Sequence, residues 1–217
     1  MLPFYPYMFL LFYFNIMWYL TYALVIRRGY LDKMAGIPLF SLTLNLAWDF
    51  SGAFIVPSPL YQELINVGFF LVNMAITFQW LRYWRNDFKQ LSTIEFFFYW
   101  GFAQIASFVF ILRGSEAIGD VSLFKMGFID NFINSALFIA MLYRRPRLEG
   151  QSIYIGLSKM IGTGSVSIAS YFNPYPGLED SVITTPLFIG IFILDVAYVI
   201  AYYRKARRLN IDPWRRW

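Results

Sequence analysis

The chain has no cysteine and no histidine in 217 residues. These absences exclude thiol chemistry, structural disulfides, most zinc and haem sites and a histidine general base. Acid–base work falls to Asp, Glu, Lys, Tyr or water. Charge is also scarce: 14% of residues are Asp, Glu, Lys or Arg, against about 25% in soluble domains. Several motifs are missing as well. There is no Asp-Asp-x-x-Asp for magnesium-assisted ionisation and no Asp-x-Asp-Asp of soluble protonating cyclases. There is no Walker loop and no dinucleotide glycine fingerprint. The last apolar run carries no interior lysine of the kind a retinal protein needs. No cofactor or metal is implied.

What is present is apolar: 59% hydrophobic residues and a mean hydropathy of +0.51. Seven apolar runs follow one another, at about 5–26, 37–57, 62–83, 93–113, 121–143, 151–171 and 182–204. Each reaches the roughly 20 residues that span a bilayer. The links are short, so the chain reads as one domain, 1–217: an all-α membrane protein built as a seven-transmembrane-helix bundle. Pro57 and Pro59 mark a turn after the second run, and Asn173, Pro174, Pro176 and Gly177 one after the sixth. The first run lacks a basic flank and is too long for a cleavable signal peptide, so it reads as the first membrane helix.

Basic residues sort by link. Links one, three and five and the tail hold nearly all of them, and the even-numbered links hold Arg113. The positive-inside rule then predicts the N-terminus outside and the C-terminus cytoplasmic. The net charge of +5 is a topology signal and implies no nucleic-acid partner. The tail, with Trp214 and Trp217, is expected on anionic headgroups. The membrane would be the inner or plasma membrane in a bacterium and the endoplasmic reticulum in a fungus. Oligomeric state is not set by the sequence.

Four charges lie deep in these runs: Asp49, Asp130, Lys159 and Asp195. An Asp at the bilayer centre costs about 2.5–3.5 kcal/mol. At 1.5 Å per residue all four fall within about 5 Å of the midplane, one polar layer. Helical spacing aligns Ser41, Asn45, Asp49 and Gly52 on one face, and Gly127, Asp130, Asn131 and Asn134 on another. Lys159 shares a face with Gly156, Gly162 and Thr163, and Asp195 with Ile191, Tyr198 and Tyr202. Gln104 and Ser107 add a patch in the fourth run. Such faces turn inward, because lipid cannot satisfy them.

Bland readings compete. Asn45, Asn73, Asn131, Asn134 and Gln104 would equally serve as helix–helix glue. Asp130 and Lys159 would equally neutralise each other as a buried pair. The small residues of the sixth run suit close helix packing. Asp49 and Asp195 fit the structural reading least, having no basic residue within two turns on their own helices.

Aromatics make up 22% of the chain. Most suit lipid contact and interfacial belts. Trp48 adjoins Asp49, Trp100 precedes Gln104 by one turn, and Tyr198 follows Asp195 by one turn. Aromatic faces stabilise cations by roughly 0.5–2 kcal/mol each, and a carboxyl group taken out of water favours its protonated form. An acid inside aromatic walls suits carbocation chemistry. Midplane acids also mark proton relays, so a proton-coupled membrane transporter is the rival class. Seven helices do not divide into two equal repeats, which weighs against it.

The stretch Asn45-Leu-Ala-Trp48-Asp49, with Pro57 beyond it, resembles the Asn-x-Ala-Trp-Glu motif of small integral-membrane terpene cyclases. These act in fungal indole-diterpene and meroterpenoid pathways, with bacterial relatives. Gly150-Gln-Ser through Ser158-Lys159-Met-Ile-Gly162 is similar to the family's Gly-x-Ser…Ser-Arg-x-x-Gly segment, and Asp195-Val-Ala-Tyr198 to its last-helix Asp-x-x-Tyr. The resemblance implies cyclisation of a polyprenyl chain, with an epoxide or alkene terminus, on an aromatic or heterocyclic head. It implies a metal-independent enzyme of isomerase or intramolecular-lyase type, started by protonation, with a lipophilic prenylated substrate met in the bilayer. Asp49 and Asp195 take the places of its essential acids. Asn45, Trp48, Trp100, Gln104, Asp130, Asn131, Asn134, Lys159 and Tyr198 are the expected pocket and supporting residues. Two positions depart from the pattern: Asp49 replaces Glu, and Lys159 replaces Arg. Which Asp donates the proton stays open.

Overall fold

A computed structural model describes residues 1–174, 178 and 181–217. The described residues form seven α-helices: α1 Phe4–Asp32, α2 Leu39–Phe54, α3 Leu60–Asp87, α4 Thr93–Ala117, α5 Phe124–Arg144, α6 Ile153–Phe172 and α7 Ser181–Arg208. A short 3-10 turn, Pro213–Arg215, follows. Helix starts are written locally. Pro3, Pro38 and Pro59 stand immediately before α1, α2 and α3, where a fixed φ and a missing N–H cost nothing. Ser92 and Glu95 form a reciprocal capping box on α4, which gives Glu95 a structural task at the boundary. Asn173 and Pro174 follow α6 as the sequence predicts; Pro176, Gly177, Glu179 and Asp180 lie outside the described residues.

Five helices are long and apolar enough to cross a membrane: α1, α3, α4, α5 and α7. The other two, α2 and α6, depart from the expectation of seven equivalent spans. Helix α2 has 16 residues, and such a helix is about 24 Å long, short of a hydrocarbon core of about 30 Å. Helix α6 is diluted by glycine and serine. Both are largely buried against other helices.

Neighbouring helices close a ring in the order α1, α3, α2, α5, α7, α6 and back to α1, while α4 packs outside it against α2 and α5. Close approach needs small residues on α6. A Cβ on Gly162 would stand 3.0 Å from Trp18, and one on Gly156 2.7 Å from the Tyr198 ring. The Thr21 and Ser158 hydroxyls, 2.8 Å apart, tie α1 to α6.

The C-terminal ends of α1, α3, α5 and α7 gather at one end of the ring, which carries most of the basic residues. Asp32 there accepts from Arg28 at 2.5 Å, from Arg216 at 2.5 Å and from the Gly150 amide at 2.7 Å. Arg145 pairs with Asp87, both buried. The tail folds back: Ser152 donates to the Arg216 carbonyl at 2.6 Å and Tyr154 to the Trp214 carbonyl at 3.0 Å. Trp214 and Trp217 remain half exposed. The opposite end holds Arg113 and also Lys125, which the link count omits because it falls within the fifth apolar run.

Gly150 anchors this basic end at φ 70°, and a Cβ there would lie 2.5 Å from the Ala35 carbonyl. Gly150→Ala is therefore expected to destabilise the bundle by about 1 kcal/mol or more, read as a lower thermal midpoint in detergent. An unchanged midpoint would show that the α1–α2 link yields.

Candidate active site

Inside the ring lies a cavity of about 230 Å³; about 10–15 Å³ by the same measure lodges one water, so the space is ligand-sized. Its walls come from α1, α2, α3 and α5, with Val166 from α6. The lining includes Phe12, Phe14, Trp18, Tyr22, Trp48, Tyr61, Phe69, Phe124 and Phe128. Phe12 and Tyr61, 67% and 61% exposed, lie toward the N-terminal end of the ring and mark the mouth. Tyr22, Asn45 and Asn134 lie deeper, toward the basic end.

Two carboxyl groups line this cavity among the described residues, Asp49 and Asp130, at 3% and 6% exposure. Asp49 sits on α2, and its Oδ2 accepts from the Asn73 amide at 2.7 Å. Asp130 sits on α5 across from Asn45. The Asn45 side-chain amide lies 3.1 Å from Asp130 Oδ2, 3.2 Å from the Tyr22 hydroxyl and 2.8 Å from the Asn134 amide. No Lys or Arg forms an ion pair with Asp49 or Asp130 among the described residues.

The aromatic wall is held in place. The Trp48 indole N–H donates to the Leu123 carbonyl at 2.7 Å, which fixes its ring beside Asp49. Gly127 makes room for it: a Cβ there would stand 3.0 Å from the Trp48 nitrogen. Gly127→Val should push this ring into the cavity. The expected result is a several-fold loss of substrate binding with retained folding, measured by ligand-induced thermal shift; an unchanged shift would mean the ring is not part of the binding wall.

Asn45, Trp48, Asp49, Asp130, Asn131 and Asn134 thus meet at one cavity, and Asn131 also donates to Thr163 on α6 at 2.9 Å. The remaining sequence candidates lie elsewhere. Lys159 does not pair with Asp130: its ammonium donates to Asp195 at 2.8 Å and to Ser135 at 2.6 Å. The pair is buried, with Lys159 lying 5.8 Å from the centre of the Trp18 ring. Trp18 lines the cavity, so Lys159 and Asp195 stand behind its wall. Asp195 itself borders a separate groove between α6 and α7. Tyr198 is buried nearer the basic end, where it donates to Gln151 at 3.3 Å and meets Phe138 edge-on. Trp100 and Gln104 are on α4, outside the ring. Gln104 donates to the Thr43 carbonyl at 3.1 Å, so it is helix–helix glue, and Trp100 packs against the neighbouring apolar core.

Sequence reasoning left out Trp18, Tyr22 and Phe69 as cavity residues. The usable signal was spacing: Asn15, Trp18 and Tyr22 fall at i, i+3 and i+7 on one face of α1, and all three line the cavity.

The model of the Pyr4-like transmembrane terpene cyclases matches residues 6–208. Among curated proteins, the Pyr4-family terpene cyclase mfmH of Annulohypoxylon moriforme is 25% identical over 199 residues, 87% of this chain and 81% of its own. Asnovolin H synthase nvfL of Aspergillus novofumigatus is 25% identical over 210 residues, 89% of this chain and 83% of its own. Terpene cyclase esdpB of Penicillium shearii is 27% identical over 203 residues, 88% and 81% of the two chains. No solved structure matches. The ordered motifs, the helical ring with its acid-bearing aromatic cavity and the family match over nearly the whole length agree, and the chain belongs to the Pyr4-like transmembrane terpene cyclases.

Proposed function

We propose that this protein cyclises a membrane-dissolved polyprenyl chain carried on an aromatic or heterocyclic head, and that Asp49 starts the reaction by donating a proton. The observation that carries the reading is a buried carboxyl with no cation beside it among the described residues, facing an aromatic-lined cavity of ligand size. A carboxyl in such a place works as an acid. Its proton goes to the oxygen of a terminal epoxide or to the carbon of a terminal alkene. The resulting cation is attacked by the next double bond, and each ring closure moves the positive charge along the chain. Loss of one proton at the end leaves a cyclic isomer of the substrate. No metal takes part in this scheme. Trp18, Trp48 and Phe128 present faces that stabilise the moving charge, and the apolar walls limit its capture by water.

Asp195 is assigned a positioning role in this reading. It fixes the Lys159 ammonium behind Trp18, so it acts on the cavity wall without touching substrate. The carrier reading is not favoured: the relatives are named as cyclases or synthases. We place the mouth of the cavity at the outer side, by the positive-inside rule.

The test uses detergent-solubilised protein, where there is no membrane to transport across. It is incubated with farnesyl and geranylgeranyl aromatics, plain and epoxidised. A cyclic product of equal mass from at least one substrate is expected. No cyclic product from the whole panel would overturn the reading.

A further inference from the structure

Cyclisation that begins with a proton gained and ends with a proton lost needs an acid at one place and a base at another, because the positive charge has moved along the chain in between. Among the described residues, the cavity offers two carboxyl groups for these tasks, on different walls: Asp49 on α2, backed by α3, and Asp130 on α5. Asp195, which the family resemblance points to as the second acid, is held by Lys159 outside that lining.

Asp130 faces the same cavity from the wall opposite Asp49, with no ion-pair partner among the described residues. One oxygen, Oδ2, lies 3.1 Å from the Asn45 side-chain amide. The other, Oδ1, is buried with no hydrogen-bond partner among the described residues. Asn45 lies one helical turn before Asp49 and its side-chain amide stands beside Asp130, between the two walls.

Building on the proposed cyclisation at Asp49, we propose that Asp130 is the second catalytic residue, the base that takes the proton ending the cyclisation. The step balances. Asp49 loses a proton to the substrate; Asp130 gains one from the carbon next to the final cation, whose C–H electrons form the new double bond. Between turnovers a proton passes from Asp130 back to Asp49, and the net reaction is an isomerisation.

The experiment compares wild type, Asp130→Asn and Asp130→Glu in detergent, with a substrate that wild type cyclises, reading rate and product identity. Asp130→Asn is expected to slow formation of the wild-type product about 100-fold or more. Residual product should shift to other double-bond isomers or to a water-captured alcohol. Asp130→Glu moves the base by one methylene and should keep turnover while altering the isomer ratio. This ratio is a readout that loss of a merely structural contact would not move. The wild-type product in an unchanged isomer ratio, within a few-fold of the wild-type rate in Asp130→Asn, would overturn the proposal. Should Asp130→Asn fail to fold, an unchanged ratio in Asp130→Glu overturns it. A wild type that cyclises nothing condemns the cyclase reading itself, a result separate from either of these.

Discussion

Asp49→Asn is expected to abolish turnover while leaving the bundle folded. The amide keeps the shape of the carboxyl and can still meet Asn73 across 2.7 Å, but it has no acidic proton to give. Loss of a positioned general acid typically costs 10²–10⁴ in rate. Asp49→Glu separates the role from the residue. It restores the acid that the family motif carries, one methylene longer, so partial activity or a changed preference between epoxide and alkene is expected. Rates from purified variants with matched thermal midpoints make the comparison. Wild-type turnover in Asp49→Asn would remove Asp49 from the chemistry.

The second large effect falls on the bundle. Lys159→Met leaves Asp195 buried without its cation, and breaking a buried pair by removing one partner costs about 3–5 kcal/mol. Ser135 loses its ammonium partner too, and Trp18 loses the charge behind its ring. A fall in the thermal midpoint is expected, with lower activity. Combining Lys159→Met with Asp195→Leu replaces the whole pair by apolar groups and should recover most of the stability but not the activity. Lys159→Arg, the residue of the family pattern, should keep both. If Lys159→Met unfolds at the wild-type midpoint, the pair is not holding α6 to α7.

These expectations show how far the sequence reaches. Apolar runs located all seven helices, because the cost of polar groups in lipid leaves a plain mark on composition. The same cost marked Asp49 and Asp130 as inward-facing, and both line the cavity. Periodicity tells which face of a helix turns inward, but not which neighbour it meets. So the partner of Lys159 stayed open until α7 was seen beside α6. The outside position of α4 was equally invisible. Gln104 and Trp100 look like pocket residues by composition and turn out to pack α4 against the outside of the ring. The brevity of α2 was readable only in part, since its apolar run continues past Phe54 into the link before Pro57.

The most direct measurement is a structure of the protein with an amine analogue of the first carbocation, a polyprenyl aromatic whose reacting carbon is replaced by a protonated nitrogen. The account predicts the ammonium inside the ring, in contact with the Asp49 carboxyl and against the faces of Trp48 or Trp18, with the head group toward the mouth at Phe12 and Tyr61. An ammonium bound at Asp195 in the groove between α6 and α7, with the cavity beside Asp49 empty, would contradict it.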